Sequence, residues 1–427
     1  MHPRIYIVLA VLLTAGRAAA VNAAIASTAA PAPGLQAHWV TSWSASPQAI
    51  WGADIILPTG ILDAVDDHTV RQIVRLSTGG KHLRFVFSNR YGTSPLHIGE
   101  VRIAMAGDQQ ATAGQRNVVL QFGGQRALTV APGAQAVSDS VRFEAPGLAQ
   151  LSVSSYFPRK TLLRTFHWGG QQSAYIAAGN VTAARHLHAS QVVPGRLFLS
   201  AVWTATAAPA RTVAVFGDSI TDGNGSTPDR NRRWPDYLAQ RFADSHVAVA
   251  NAGISGARLL SDGMGDKALA RFERDVLDLP GIKSVIVLMG INDIGWPGSP
   301  FAPAAAPVAL EGMQHAYRQL ADMARSRKVR IIGATLPPFE GALSGTPFEG
   351  HYSARKERQR QDINAWIREA RAFDQVFDVD ALLRDPAHPT RMRRKYDSGD
   401  HLHPGDAGYK AMADAIDLPL LFGAPQP

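Results

Sequence analysis

From Arg211 onward the sequence repeats one unit: a short run of apolar, β-branched residues, then an amphipathic stretch, then another apolar run. The runs are Val213–Phe216, Val247–Ala250, Val285–Met289, Ile331–Ala334 and Val376–Phe377. Uninterrupted apolar runs of this length read as strands buried on both faces, the condition of a parallel sheet covered by helices. The intervening stretches Pro235–Phe242, Lys267–Leu277, Leu310–Ala324 and Arg355–Phe373 carry helical spacing, the last with Ile363, Trp366, Ile367 and Ala370 on one face. Gly405–Ile416 closes the series. Strands that alternate with helices predict a doubly wound α/β domain. Such a sheet gathers its chemistry in the loops at the carboxyl ends of its strands.

Upstream the pattern is different. Between His38 and Leu199 short β-like runs follow one another between turn signals: Thr69–Leu76, His82–Phe87, Leu96–Ala104, Asn117–Phe122, Gln150–Tyr156 and Arg196–Val202. Their spacing, without a helical period, predicts a β-sandwich of jelly-roll type. Gly79-Gly80 reads as a hairpin turn, and the Arg71, Ile73, Arg75 positions as a polar, exposed face. Ala207-Ala208-Pro209-Ala210 marks the domain boundary. The expected organisation is a leader over 1–24, a linker over 25–37, the β-sandwich domain over 38–206 and the α/β domain over 207–427.

The leader rests on the basic Arg4, the apolar Ile5–Ala15 and the small-residue sites Ala18-Ala19-Ala20 and Val21-Asn22-Ala23. Its apolar run is shorter than the roughly 20 residues a spanning helix needs, so no stable membrane insertion is expected once it is removed. The mature chain is expected to be exported, to a periplasm or the exterior. The absence of cysteine among 427 residues excludes disulfides, thiolate nucleophiles and cysteine zinc sites. A net charge of +8, two units of it from Arg4 and Arg17 in the leader, is a mild excess for this length. No basic block is interleaved with aromatics, and Arg391–Lys395 reads as a solvated loop, so nucleic acid is not an expected partner.

Three strand ends carry matching chemistry. Gly217-Asp218-Ser219-Ile220 follows the first run, Asn251-Ala252-Gly253-Ile254-Ser255 the second, and Gly290-Ile291-Asn292-Asp293 the third. In a parallel sheet these loops lie at one edge and can converge. Attack on an acyl carbonyl builds negative charge on oxygen, which needs fixed donors. The backbone N–H groups of Ser219 and Gly253 and the side-chain amide of Asn292 would supply three. A serine hydroxyl also needs a base. Asp400 and His403, three residues apart in Ser398-Gly399-Asp400-His401-Leu402-His403, have the spacing that lets a carboxylate hold one ring nitrogen while the other faces the serine. His401 is the competing base, but its position next to Asp400 makes it harder to orient.

Other readings of these residues are possible. Asp400, His401 and His403 have metal-ligand character, but a metal site would leave the Ser, Gly and Asn placements without a purpose. Gly217–Gly225 is glycine-rich after a strand yet has neither a P-loop nor a dinucleotide fingerprint. The Gly- and Pro-rich Pro337–Ser353 follows a strand end and is expected to overhang the same face, with His351 and Tyr352 in reach of substrate or merely solvated.

With Gly217-Asp218-Ser219, the Gly253 block, Gly290-Ile291-Asn292-Asp293 and Asp400-x-x-His403 present in that order, Arg211–Leu421 resembles the GDSL, or SGNH, hydrolase family. The resemblance implies a flavodoxin-like three-layer α/β/α sheet, Ser219 as nucleophile, His403 as base and Asp400 as its orienting acid. Gly253 and Asn292 would complete the oxyanion hole with Ser219, and no metal or organic cofactor is implied. Upstream, Trp39–Gln48 and Phe87–Gly92 look like the β-rich extension of exported bacterial members similar to arylesterases and acetylxylan esterases. Trp39, Trp43, Trp51 and Trp168 would there either stack on sugars or fill the core of the β domain. The implied activity is a serine esterase that removes acetyl or other short acyl groups from polysaccharide or small esters. Its rivals are an O-acyltransferase acting on glycans and a glycan-binding protein with a vestigial hydrolase half.

Overall fold

The five apolar runs form one parallel sheet of Arg211–Gly217, Val247–Gly253, Ile282–Leu288, Arg330–Ala334 and Gln375–Phe377. They lie in the spatial order second, first, third, fourth, fifth, the flavodoxin-like order, whose switch point falls beside the first strand. This computed structural model describes residues 38–53, 55–107, 112–206, 209–243 and 245–423. The expected leader and linker, and Ala207 and Ala208 of the expected boundary, lie outside the described residues. Gly217 sits opposite both Gly253 and Leu288, so the first three strands end level and their loops leave from one edge.

The helices are α1 (Ser219–Asp222), α2 (Trp234–Arg241), α3 (Ala268–Phe272), α4 (Ile291–Gly295), α5 (Leu310–Ser326), α6 (Ala354–Glu369), α7 (Val379–Leu383) and α8 (Asp406–Ala415). Met313, Ala316, Tyr317, Leu320 and Ala324 give α5 its buried stripe, the 3.6-residue period made physical. The stretch Lys267–Leu277 is not one regular helix: α3 passes into a π-helical turn over Glu273–Leu277. Among the described residues no helix is long and apolar enough to cross a membrane.

Upstream are two antiparallel sheets that share one apolar cluster, including Val70, Val74, Phe85, Phe87, Ile103, Val153 and Phe166. One sheet is built on Gly80–Ser88 and Leu199–Thr206, the other on Thr165–Ala178, His68–Arg75 and Gln150–Phe157. Three expectations fail here. Gly79-Gly80 is not a hairpin, because His68–Arg75 and Gly80–Ser88 belong to different sheets. Gly79 is needed for close approach: a Cβ there would lie 2.5 Å from the Ala145 carbonyl oxygen. Arg196–Val202 is not one strand but a corner between sheets, turned by Phe198 at φ 62°. Arg71 is fully buried, its Nε donating to Ser154 Oγ at 2.8 Å and an Nη to the Ala184 carbonyl at 2.6 Å.

The two parts of the chain are bonded through side chains. Ser44 Oγ donates to the Asn251 carbonyl at 2.8 Å, Gln48 Nε2 to the Met264 carbonyl at 2.6 Å, and Tyr91 Oη to Asp266 at 2.6 Å. Gly79→Ala, whose methyl meets only backbone, is expected to lower stability by about 1–3 kcal/mol, read as a lower denaturation midpoint at unchanged m-value.

Candidate active site

The first parallel strand ends in a turn that glycine makes possible. A Cβ on Gly217 would lie 2.4 Å from the Leu288 carbonyl oxygen and 2.1 Å from Thr221 Oγ1. Asp218 then caps α1, its Oδ1 accepting from the Ile220 N–H at 3.1 Å. Ser219 is thereby the first helical residue, with its N–H at a helix amino terminus and its side chain 5% exposed at the sheet edge.

The expected partners reach it from the far end of the chain. His403 Nε2 lies 2.8 Å from Ser219 Oγ, across 184 residues of sequence. His403 Nδ1 lies 2.6 Å from Asp400 Oδ2. The other oxygen, Asp400 Oδ1, accepts from the N–H groups of Leu402 and His403 at 2.9 and 2.8 Å and from Ser398 Oγ at 3.0 Å. Burial works to raise the Asp400 carboxyl. The His403 side chain and these backbone donors outweigh it and hold the acid well below the usual carboxylate range. His401 is turned away, its Nδ1 2.6 Å from Asp397 and its side chain about half exposed. His401 and His403 therefore face different partners, and among the described residues no three His, Asp or Glu side chains group as metal ligands.

The donor set differs from the one expected. The Gly253 N–H donates to Asn251 Oδ1 at 2.8 Å and is spent within its own strand end. A Cβ on Gly253 would lie 2.4 Å from the Asp222 nitrogen, so the glycine serves packing against α1. Three residues on, Gly256 stands at φ 74° in the loop that follows. Its neighbour Ala257 accepts from Asn292 Nδ2 at 3.0 Å, which leaves the second Asn292 amide hydrogen for another acceptor. Asn292 is held in the first turn of α4, behind Gly290 at φ 123°. Asp293 pins the Gly256 loop, accepting from Leu259 and Leu260 N–H at 2.7 and 2.9 Å, while burial pushes its carboxyl up to about 6.

Arg271 has no place in the sequence reading. It is fully buried, and its Nη atoms donate to the Ala252 and Gly217 carbonyls at 2.8 and 2.9 Å and to Asp275 at 3.2 Å. The guanidinium lies 4.2 Å over the Phe216 ring. A lone arginine on an amphipathic stretch resembles any solvated charge, and the only usable signal is its place on the apolar side of Lys267–Leu277. The loop Pro337–Ser353 does reach the site segment, with the Leu343 N–H donating to the Asp400 carbonyl at 2.9 Å. His351, however, is buried between the Phe301 and Phe339 rings and is not a solvated loop residue. Of the four tryptophans, Trp43 is buried; Trp39, Trp51 and Trp168 are half-buried.

Asp218 is buried with Oδ2 unpartnered, and this desolvation pushes its carboxyl up to about 7 against the opposing Ile220 N–H bond. A raised acid binds its proton more tightly folded than unfolded. Its contribution to stability is therefore present below pH 4 and lost as pH rises toward 7. Asp218→Asn is expected to flatten this loss, by at most about 1.4 kcal/mol per pH unit, in denaturation midpoints compared with the parent protein between pH 4 and 7.

Residues 215–411 match the family model of the GDSL-like lipase/acylhydrolase family. Among curated proteins there is no match. Solved structures similar to the chain include a GDSL-like lipase from Bacteroides thetaiotaomicron, 19% identical, covering 48% of this chain and 85% of its own, with a TM-score of 0.36. An acetyl xylan esterase is 18% identical and covers 48% of this chain and 96% of its own, with a TM-score of 0.35. An alpha/beta hydrolase from the metagenome of Lake Arreo, Spain, is 22% identical and covers 49% and 94%, also with a TM-score of 0.35. The matched segment runs from within the first parallel strand into α8 and contains Ser219, Asn292, Asp400 and His403. Residues 215–411 thus belong to the GDSL-like lipase/acylhydrolase family, and the chain is a carboxylic ester hydrolase.

Proposed function

We propose that the protein is an exported serine esterase that works through an acyl-enzyme, and the observation that carries this is the Ser219–His403–Asp400 relay at 2.8 and 2.6 Å. His403 Nε2 accepts the Ser219 hydroxyl proton as Oγ attacks the ester carbonyl. Asp400 holds the Nδ1 hydrogen and stabilises the imidazolium that results. The tetrahedral oxyanion takes hydrogen bonds from the Ser219 N–H, the Gly256 N–H and Asn292 Nδ2; Gly256 stands here in the role first given to Gly253. The imidazolium then returns its proton to the departing alcohol, leaving the acyl group on Ser219. Water, deprotonated by His403, repeats the sequence and frees the acid.

The substrate class we infer is an acetyl or other short-chain ester, on a polysaccharide or a small alcohol. Its support is the resemblance of the N-terminal half to exported esterases. Ile55, Met264 and Trp296, with Trp51, Trp168 and Phe301 against them, form a buried apolar cluster that joins the two halves of the chain. The leader pattern at Arg4–Ala23 supports export. The shared apolar cluster of the two antiparallel sheets supports reading 38–206 as a β-sandwich domain of jelly-roll type and 207–427 as the hydrolase domain.

Ser219→Ala is expected to reduce turnover of p-nitrophenyl acetate by at least about 10⁴-fold with an unchanged far-UV circular dichroism spectrum; substantial turnover in a folded variant would overturn the mechanism. Asn292→Ala is expected to lower kcat by about 10²–10³-fold with little change in KM. An effect confined to KM would remove Asn292 from the oxyanion hole.

A further inference from the structure

The strand Thr165–Ala178 lies in the N-terminal half, yet it ends up against the loops that follow Ser219. Its pairing with Gln191–Leu197 slips between Trp168 and Ser173, which throws Gly169–Gln172 outward as a bulge. The bulge packs on the hydrolase loops with no room to spare: a Cβ on Gly169 would lie 3.2 Å from Ser255 Oγ and 3.5 Å from Asn224 Oδ1. Gln171, at φ 51°, donates from Nε2 to Asn224 Oδ1 at 2.9 Å, and the Asn224 N–H donates to the Ser219 carbonyl at 2.9 Å.

His167 stands at the base of this bulge, 4% exposed. Its Nδ1 lies 2.9 Å from the Ser46 carbonyl and its Nε2 2.9 Å from Asp222 Oδ1. Both partners are oxygen acceptors, one a backbone carbonyl and one a carboxylate. Asp222, 1% exposed, is the last residue of α1, the helix that Ser219 begins. Its other oxygen, Oδ2, accepts from Ser255 Oγ at 2.7 Å and from the Ser255 N–H at 3.2 Å. Ser255 immediately precedes Gly256. One buried carboxylate therefore ties the end of the nucleophile's helix to the start of the Gly256 loop, and a histidine from the other half of the chain holds that carboxylate.

We infer that His167 is a positioning residue for ester hydrolysis: through Asp222 and Ser255 it fixes the Gly256 N–H relative to Ser219. The N-terminal half is then part of the catalytic apparatus and not an appended glycan-binding module. This inference rests on the serine-esterase reading above. The energetic logic is the sensitivity of an oxyanion donor to small displacements. A buried carboxylate that loses a partner re-aims its remaining bonds, and a shift of about 1 Å at a reacting centre can cost on the order of 10²-fold in rate.

The test compares His167→Ala, His167→Gln, Ser255→Ala and Tyr91→Phe in the full-length protein. Tyr91→Phe removes a hydrogen bond between the two halves, to Asp266, away from the Gly256 loop. The readouts are kcat and KM for p-nitrophenyl acetate and the rate at which a p-nitrophenyl phosphonate labels Ser219, located by peptide mass spectrometry. His167→Ala is expected to lower kcat and the labelling rate by about 10–100-fold with KM within twofold. His167→Gln, whose amide can still donate to Asp222, should recover most of the loss, and Tyr91→Phe should stay near the parent rates. Should His167→Ala fail to fold, Ser255→Ala tests the same link from the other end of Asp222 and is expected to show the same loss in kcat. Unchanged kcat in both His167→Ala and Ser255→Ala overturns the inference, as does an equal loss in Tyr91→Phe, which would mean that docking in general matters. If the phosphonate does not label Ser219 in the parent protein, the serine-esterase reading itself falls and takes the inference with it.

Discussion

Arg271 holds the site edge together. Two neighbouring parallel strands bring the Gly217 and Ala252 carbonyls together near their ends, and one buried guanidinium donates to both. The planar fork of arginine suits two acceptors and a carboxylate at once, which a lysine ammonium would satisfy less well. Asp275 supplies the countercharge and Phe216 the surface beneath. The clamp lies at the strand ends from which the Ser219 and Gly256 loops leave. Burying such a cation is costly, and leaving one member of a buried pair alone costs about 3–5 kcal/mol, so the clamp exists only as a complete set.

Much of the hydrolase half was legible in the sequence because its strands are buried on both faces and read as plain apolar runs. Ser219 stood out as a candidate because it follows a sharp change from apolar run to loop, and Asp400 and His403 because the acid and the histidine have the spacing of one turn. What escaped was set by contacts between distant residues. The Asn251 side chain folds back onto the Gly253 N–H and takes up that donor, a contact that the sequence alone does not display. Gly79-Gly80 has hairpin composition, yet its glycines are there because the Ala145 carbonyl and the Thr204 side chain crowd them from another strand. Phe198, at the corner between sheets, belongs by propensity in a strand, and tertiary packing overrides that preference. His167, Asp222 and Arg271 were invisible because a polar residue at a buried position has no signature until its partners are known.

Asp222 and Asp275 show how the fold divides labour between carboxylates. Asp275 answers full positive charges from Arg271 and Arg274, and these hold it below its ordinary range even though burial works the other way. Asp222 instead takes neutral backbone and hydroxyl donors on one oxygen and a ring nitrogen on the other. The first arrangement fixes the sheet edge, and the second fixes the loops that leave it. Asp218, a few ångströms of backbone away, accepts a single N–H and keeps one oxygen bare. These three buried acids thus hold three different relations to charge, decided by what each is bonded to.

The sequence separation of 184 between Ser219 and His403 bears on how the site is assembled. A hydrogen bond that closes so long a loop gains nothing until most of the chain between its ends has already been ordered. Among the described residues four further strands and six α-helices lie inside that loop, and where the histidine meets the serine depends on how they stack. The first strands alone bring Ser219 to the sheet edge without His403 beside it. The contact between the two side chains is a property of the completed fold and not of any one part of it.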